Sequence, residues 1–439
     1  METTAVLVPA AIFLWGVVSA RFERADLSAP IVFVAVGTLL AAAGLVDAVT
    51  APEALEPLVE ITLVWVLFSD AARVRVHDFR ADAGRYVRLL AVGLPLTVVA
   101  GWGLAAWLFP GLGVWLALLV GAALAPTDAA LGVPVVTNPA VPASVRRLIN
   151  VESGLNDGIA TPVVMVALAG AASAEGLTDA PGLAEALLEL AIGAGVGVAV
   201  GAGGGWLLRR ARHRGWVAED FAGIAVLALA LTAYGAALAL HGNGFVAAFC
   251  GGLAFGATAG RRGRAELAFT EQAGGLVSLL VWLAFGAIAA PIMIDRTDWA
   301  TVVYAVLSLT VVRMVPVALV LLGADLDRAT LLFIGWFGPR GLASLLFALL
   351  ALEELGPAAD RAVGVIALTV FLSVVAHGIS AAPLAARYGR NAAAHGPGPG
   401  GPVPDLPVRG LPRRRHPEGV GAERPAADTE PRRPHEARD

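Results

Sequence analysis

Charged side chains are scarce in this chain. Of its 439 residues, 15% are charged and 57% are hydrophobic, whereas about 25% of the residues in a soluble domain are charged. Most of the chain is therefore not expected to face water. The formal net charge of -4 also argues against nucleic-acid binding, which favours a concentrated basic patch.

Cysteine is nearly absent, and histidine is rare. The one cysteine, Cys250, excludes an intrachain disulfide and any multi-cysteine metal site. It lies in an apolar run beside Gly251 and Gly252, which is typical of a small packing residue. His241 has no second His or Cys nearby in the sequence, so we do not expect it to ligate a metal.

Long apolar segments, by contrast, fill most of the chain. A bilayer core is about 30 Å thick and needs about 20 apolar residues per helix. Residues 1–4 contain no Arg or Lys, so the first segment is predicted to be retained rather than cleaved as a signal peptide. We therefore predict an all-α polytopic membrane protein with about 13 transmembrane helices. The predicted spans are approximately residues 4–20, 30–47, 54–70, 86–108, 112–136, 150–173, 182–208, 219–240, 243–258, 267–290, 299–323, 329–351 and 361–386.

Arginines in the loops give an orientation for these spans. They concentrate in alternate loops, and a miscount by one span would scramble that alternation. The pattern places the N-terminus outside and the C-terminus in the cytoplasm. Glycine-rich residues 241–244, between the eighth and ninth spans, are compatible with a turn or with a break in one long helix. The arginine-rich loops contain Arg21 and Arg24; Arg73, Arg75, Arg80 and Arg85; Arg146 and Arg147; Arg209, Arg210, Arg212 and Arg214; Arg261, Arg262 and Arg264; and Arg328.

An odd number of spans is compatible with an internal symmetry. Spans 1–6 and 8–13 form two six-helix repeats of opposite orientation if span 7 joins them. The fifth span then corresponds to the twelfth, and each contains a proline, Pro126 and Pro339. Proline removes a backbone N–H and breaks a helix. Matching breaks in the two halves of a chain point to a binding site near the membrane midplane.

The composition changes after Arg390. Residues 391–439 are rich in Pro, Gly, Arg and Glu and have almost no large apolar side chains. Such a segment cannot bury enough apolar surface to fold, so we predict a disordered cytoplasmic tail following a transmembrane domain of residues 1–390. The cluster at residues 413–415 is compatible with contact to anionic lipid, although a solvated tail without a partner is the simpler interpretation.

Ionisable side chains within the spans are functional candidates, because a charge at mid-bilayer costs at least a few kcal/mol. Asp128 lies in span 5, Glu152 and Asp157 lie near the start of span 6, and Arg313 and Arg340 lie in spans 11 and 12.

In a helical span 6, residues four apart share a face, so Glu152 lies above Asn156 and Ser153 above Asp157. The two stripes are adjacent and present oxygen ligands, which suit hard cations. At the break of span 5, Thr127 and Asp128 can add further oxygens.

Each of these residues also has a structural interpretation. We expect Glu152 to form a buried ion pair with Arg340, since a lone buried charge needs a partner, and Arg313 to balance a carboxylate or to snorkel. Asp128 can cap the restart of its broken helix, but we favour an ion pathway through Asp128 and Asp157. A carboxylate without a basic partner can hold either a proton or a cation.

One further acid lies close to a membrane interface. Asp70, at the end of span 3 and before Arg73, is interpreted as a helix-end residue, with gating of the cytoplasmic funnel as the alternative.

Three motifs together resemble the cation:proton antiporter family, which contains bacterial and eukaryotic sodium/proton exchangers. They are Thr127-Asp128, the run from Glu152 to Gly158, and the run from Gly338 to Ser344. Residues 67–71 and 242–249 add to the similarity, which extends over about residues 1–390.

The resemblance implies a secondary transporter and not an enzyme, with a thirteen-helix inverted repeat whose crossed broken helices are spans 5 and 12. It further implies a bacterial inner-membrane homodimer that takes part in pH and sodium homeostasis. Its partners would be the bilayer, Na+ (or Li+) and H+, with no resident cofactor. It assigns the exchanging carboxylate to Asp157, the other Na+-binding positions to Asp128, Thr127 and Ser153, and a supporting network to Asn156, Glu152 and Arg340.

Two details of the motifs concern stoichiometry and ion choice. Family members with Asn before the key Asp are usually electroneutral, so Asn156-Asp157 implies one proton per cation. Many members have Pro after the Thr-Asp pair, whereas Ala129 follows here, which leaves ion preference open. The alternatives are a K+/H+ antiporter of the same fold, a channel, or a non-transporting membrane sensor.

Overall fold

The computed structural model describes residues 2–23, 28–45, 52–74, 83–128, 131, 133–136, 138–177, 183–260, 263–324 and 326–394. Regular structure within these ranges is helical, and each of the predicted spans has a helical counterpart. The helices are α1 (Glu2–Glu23), α2 (Ala29–Ala42), α3 (Pro52–Arg73), α4 (Ala83–Leu108), α5a (Val114–Ala123), α5b (Val133–Val136), α6 (Ala143–Ala174), α7 (Leu183–His213), α8 (Glu219–Ala239), α9 (Gly244–Thr258), α10 (Gly263–Arg296), α11a (Trp299–Leu309), α11b (Val311–Val320), α12a (Arg328–Trp336), α12b (Leu342–Leu355) and α13 (Asp360–Ala394).

The lengths and compositions of these helices are those of a multi-pass membrane protein. Seven helices of the described chain are long and apolar enough to cross a membrane, and four shorter apolar helices accompany them. Residues 241–244 form a turn in which His241 has a φ of 57°, so the eighth and ninth spans are separate helices. The predicted tail falls outside the described residues from position 395 onward, and α13 continues to Ala394.

Two helices are broken where the sequence places proline. The fifth segment is interrupted between Ala123 and Val133, and the twelfth between Trp336 and Leu342. These breaks confirm that spans 5 and 12 are both interrupted, as Pro126 and Pro339 predicted. A third, single-residue interruption at Thr310 separates α11a from α11b. Position 310 is neither Pro nor Gly, so this interruption was not predicted from the sequence.

The helices pack in two groups. The scaffold group comprises α1–α3 and α7–α10, in which α9 packs on α3 and α7, and α10 packs on α2. The broken-helix group comprises α4–α6 and α11–α13, in which α5a and α12b contact α6 and α13. The groups meet where α3, α9 and α10 of the first touch α6, α12b and α13 of the second.

Glycines at four-residue spacing bring α7 into backbone contact with α9. A Cβ atom on Gly193, Gly197 or Gly201 would collide with a backbone carbonyl oxygen of α9 or its preceding turn. Small residues at helix interfaces permit this approach, and close packing is a main source of helix association in membranes.

This contact predicts a stability difference between two glycine-to-alanine variants of α7. Gly201→Ala is expected to destabilise the protein by about 1–3 kcal/mol, because the added methyl group overpacks the interface with Gly251. Gly195 has open space where its Cβ would lie. Gly195→Ala is therefore expected to be neutral or to stabilise by up to about 1 kcal/mol, from helix propensity alone. Thermal unfolding in detergent measures both, and equal unfolding temperatures would argue against the close approach of α7 and α9.

An ion-pair network joins the ends of α10, α11a and α13. Asp298 caps α11a by accepting a hydrogen bond from Thr301 N at 2.8 Å, and it pairs with Arg361 at 2.7 Å. Arg296 pairs with Asp360 at 3.2 Å. Burial raises the pKa of Asp298, but the Thr301 N–H, the Arg361 guanidinium and the Thr301 hydroxyl outweigh that effect and lower the pKa to about 2.

The lowered pKa of Asp298 sets a pH dependence for Asp298→Asn. A carboxyl group whose pKa is depressed in the folded state stabilises the protein above its unfolded pKa of about 3.9. That stabilisation is lost as the pH falls through about 2. The unfolding temperature of the wild type should therefore exceed that of Asp298→Asn by a small, constant amount from pH 5 to 7, as expected for an exposed ion pair. The difference should shrink below about pH 4, and a difference that grows on acidification would contradict the assignment.

Candidate functional site

The two helix breaks are hydrogen-bonded to each other. Asp128 N donates to Pro339 O at 2.7 Å, and Leu342 N donates to Asp128 Oδ2 at 3.0 Å. Breaking a helix leaves backbone donors and acceptors without intrahelical partners, and here each break supplies partners for the other. The predicted crossing of the fifth and twelfth segments is confirmed at these residues.

Glycines flanking Pro339 make this crossing possible. A Cβ on Gly341 would collide with the Asp128 carboxylate, and a Cβ on Gly338 would collide with the side chains of Thr127 and Arg313. The Gly-Pro-Arg-Gly run therefore combines a helix-breaking proline with two positions that accept no side chain. Glycine here serves close approach rather than turn formation.

Asp128 caps a helix, as one sequence interpretation proposed, but the helix is not its own. Its carboxylate accepts the backbone N–H of Leu342, the first residue of α12b. A helix N-terminus carries partial positive charge, which stabilises a carboxylate. A carboxylate offers about four acceptor positions, so this cap is compatible with cation binding at the same side chain.

Thr127 connects the break of the fifth segment to α6. Its hydroxyl lies 2.9 Å from Ser153 Oγ and accepts a hydrogen bond from Asn156 Nδ2 at 2.8 Å. All three side chains are at most 3% exposed. Within the described part of the chain, Asn156 Oδ1 accepts no hydrogen bond. A buried carbonyl oxygen without a donor is costly, so this site can receive a water molecule or a cation.

Asp157 lies on α6 where the two helix groups meet. It is 6% exposed, and its backbone carbonyl accepts a hydrogen bond from Thr161 Oγ1 at 2.8 Å. A Cβ on Gly158 would collide with the ring of Phe249 on α9. On the preceding turn, a Cβ on Gly154 would lie 3.6 Å from Asp70 O on α3. These contacts put Asp157 beside both α3 and α9 of the scaffold group.

Glu152 pairs with Arg313, so the expectation of a pair with Arg340 was wrong. Arg313 Nη1 lies 2.6 Å from Glu152 Oε1, and both side chains are buried. Arg340 is fully buried and donates from Nη1 to Pro126 O at 3.1 Å. The break of the fifth segment frees that carbonyl, which gives Arg340 a backbone acceptor. Arg313 balances a carboxylate, one of its two predicted roles.

Three further buried polar residues lie on helices that contact the site, Asp70 on α3 and Ser373 and His377 on α13. Asp70 lies in the last turn of α3, as predicted, but it is buried at 8% exposure. Ser373 and His377 of α13 contact the break of the twelfth segment and were missed in the sequence. The signal that could have found His377 was present, because it is an ionisable side chain inside an apolar span.

Comparisons with known proteins agree with this architecture. The family model described as "Sodium/hydrogen exchanger, transmembrane" matches residues 7–387. The chain is 27% identical over 327 residues to the K(+)/H(+) antiporter NhaP2 of Shewanella sp. (strain MR-4), covering 73% of this chain and 55% of that protein. It is 26% identical over 387 residues to the K(+)/H(+) antiporter NhaP of Alkalimonas amylolytica, covering 87% and 66%. The chain thus spans about half the length of the Shewanella relative.

A solved structure has the same fold. The sodium proton antiporter MjNhaP1 from Methanocaldococcus jannaschii, determined at pH 8, superposes with a TM-score of 0.71. The superposition covers 87% of this chain and 98% of that one, at 20% sequence identity. At this sequence identity, the similarity establishes the fold alone.

Proposed function

Because the chain belongs to the sodium/hydrogen exchanger family, we propose that it is a secondary antiporter that exchanges a monovalent cation for protons across a bacterial inner membrane. The observation that carries the proposal is the crossing of the two helix breaks beside α6. That crossing gathers Thr127, Asp128, Ser153 and Asn156 at one place, next to the buried Asp157.

In this proposal Asp157 is the side chain that alternately holds a proton and a cation. A carboxylate in a dry, low-dielectric setting is stable only when its charge is compensated. The carboxylate of Asp128 and the hydroxyls of Thr127 and Ser153 supply further oxygens, which hard cations prefer. We assign the proton to Asp157 alone, since Asn156 cannot titrate and Asp128 is assigned to cation binding, so one proton exchanges for one cation and the cycle is electroneutral.

Alternating access follows from the position of the site between the two helix groups. Movement of the broken-helix group against the scaffold group would expose Asp157 first to one side and then to the other. A site that contains a cation or a proton crosses more easily than a bare carboxylate, which is costly in a dry path. We place a homodimer contact on the scaffold group, so that one group stays fixed while the other moves.

Sodium is the proposed cation, with lithium as a substitute. The description of the matching family model, "Sodium/hydrogen exchanger, transmembrane", favours this cation, and the hydroxyl groups of Thr127 and Ser153 offer oxygen ligands. The second candidate is K+/H+ exchange, which is favoured by the names of the Shewanella and Alkalimonas relatives.

Proton flux in proteoliposomes tests the proposal. An imposed pH gradient is followed while Na+, Li+ or K+ is added in turn, with the membrane potential clamped. Dissipation of the gradient by Na+ and Li+, at a rate that the clamp does not change, is the expected result. Dissipation by K+ alone would select the second candidate. A conductance without proton coupling, or no response to any cation in well-reconstituted protein, would overturn antiport.

A further inference from the structure

Two buried side chains of α13 contact both sides of the break in the twelfth segment. Ser373 and His377 are one helical turn apart, and both are at most 1% exposed. Ser373 Oγ accepts a hydrogen bond from Arg340 N, within the break, at 2.6 Å. His377 Nε2 lies 2.8 Å from the carbonyl oxygen of Trp336, the last residue of α12a. These two side chains, called the α13 clamp below, therefore bridge the interruption.

Both ring nitrogens of His377 take part in the contacts of the α13 clamp. A carbonyl oxygen only accepts hydrogen bonds, so His377 donates to Trp336 O in the forms of the ring that carry a proton on Nε2. The other ring nitrogen, Nδ1, faces Ser373, at 2.8 Å from its carbonyl oxygen and 3.3 Å from its hydroxyl. Because Ser373 Oγ accepts from Arg340 N, its own hydroxyl proton is available to His377. The interactions form one connected network.

Trp336 is held to α13 by its side chain as well. Its ring stacks on His377 with centroids 5.0 Å apart and an interplanar angle of 26°. Its Nε1 donates to Ser380 Oγ at 3.0 Å. The end of α12a therefore has a defined position relative to α13, and the unwound residues that follow start from a fixed point.

Those unwound residues in turn hold Asp128 and the opposite break. Arg340 Nη1 donates to Pro126 O, Pro339 O accepts from Asp128 N, and Leu342 N donates to the Asp128 carboxylate. Each interaction depends on where the backbone at residues 339–342 lies, and the bond from Arg340 N to Ser373 Oγ joins that backbone to α13.

We propose that Ser373 and His377 are positioning residues that fix the Asp128 carboxylate through the break of the twelfth segment, and so set the affinity of the site for its cation. The inference rests on the proposed function. Neither side chain is assigned a contact with the ion, so the effect acts through the backbone of residues 339–342.

The experiment compares clamp variants with a buried polar residue on the same helix. Ser373→Ala and His377→Ala remove the clamp, whereas Ser373→Thr keeps the hydroxyl and His377→Gln keeps a donor near the position of Nε2. Thr369→Val is the matched control, because Thr369 is fully buried one turn earlier. Its hydroxyl donates a hydrogen bond to Val365 O of its own helix, at 2.8 Å. The half-saturating cation concentration and the maximal rate of exchange are measured in proteoliposomes.

The clamp predicts a change in affinity. Ser373→Ala and His377→Ala should raise the half-saturating cation concentration roughly five- to tenfold, the loss expected from one net hydrogen bond. Their maximal rates should change less than about twofold, since neither side chain is assigned to the ion. Ser373→Thr, His377→Gln and Thr369→Val should remain close to the wild type. A purely structural role would lower the yield of folded protein and leave the half-saturating concentration unchanged.

Several outcomes would overturn the inference. They are an unchanged half-saturating concentration in Ser373→Ala, an equal shift in Thr369→Val, or a raised concentration in both Ser373→Thr and His377→Gln. If the alanine variants do not fold, Ser373→Thr and His377→Gln provide the test, because the inference requires both to keep the half-saturating cation concentration of the wild type.

A second measurement is independent of transport. Backbone amide hydrogen exchange at Arg340 and Leu342 should be faster in Ser373→Ala than in Thr369→Val. Absence of exchange activity in the wild type would refute the proposed function, whereas activity in the wild type with unaltered clamp variants would refute only this inference.

Discussion

Replacing Asp157 with Asn is expected to reduce cation-dependent proton flux to the level of protein-free vesicles. An amide has nearly the shape of a carboxylate, so packing beside Gly154 and Gly158 is retained. It cannot release a proton, however, and it carries no charge to hold a cation. If Asp157 is the exchanging group, the loss should be complete for every cation tested, because Asp128, the second carboxylate of the site, is assigned to cation binding alone and is held as the cap of α12b.

A matched substitution separates this effect from a general consequence of replacing Asp with Asn. Asp220 is exposed in the first turn of α8, and Asp220→Asn should transport like the wild type. Both variants are compared in the same proteoliposome preparation, at equal amounts of monodisperse protein. Substantial exchange by Asp157→Asn would show that the proton and the cation are held elsewhere.

Removing one member of the Glu152–Arg313 pair is expected to destabilise the protein by about 3–5 kcal/mol. The two side chains are buried, with Arg313 Nη1 and Glu152 Oε1 2.6 Å apart. Glu152→Ala leaves a buried guanidinium without its partner, and Arg313→Ala leaves a buried carboxylate. The double variant leaves no unpaired buried charge. Its loss of stability should therefore be smaller than the sum of the two single losses, by a coupling energy of about 1–3 kcal/mol.

The exposed pair of Arg361 and Asp298 provides the control. Arg361 Nη2 and Asp298 Oδ2 lie 2.7 Å apart, but solvent screens their interaction. Arg361→Ala should therefore lower the free energy of unfolding by at most about 1 kcal/mol. Unfolding temperatures and folded yields in detergent measure all four variants. Additive effects of the two single changes would contradict a direct pair. Normal folding of Glu152→Ala with only a shifted cation affinity would instead assign Glu152 to the ion site.

The predictable parts of the fold are those that depend on local sequence. Span length follows from bilayer thickness, so the spans can be counted along the chain. The orientation deduced from arginine in alternate loops stays a prediction. The breaks of the fifth and twelfth segments were also predictable, because Pro126 and Pro339 remove backbone donors wherever the helices pack. The interruption at Thr310 has no such local mark.

The candidate site was predictable within a helix and less so between helices. Helical periodicity alone puts Ser153 and Asn156 on neighbouring stripes of α6, and the structure joins both to Thr127. The roles of Asp157 and Asp128 in ion exchange remain predictions. Periodicity carries no information about which of two buried arginines approaches Glu152. The prediction of Arg340 was wrong, because Arg313 forms the ion pair.

The sequence by itself determined that this chain is a multi-pass helical membrane protein with two proline-broken spans and acidic side chains beside one of them. Hydropathy, proline geometry and helical periodicity act over a few residues, so they can be deduced without coordinates. Only the tertiary structure decided that Arg313 neutralises Glu152 and that Asp128 caps α12b. It also decided that Ser373 and His377 contact the break of the twelfth segment. Those choices depend on distances between residues far apart in sequence, which close packing of helices sets.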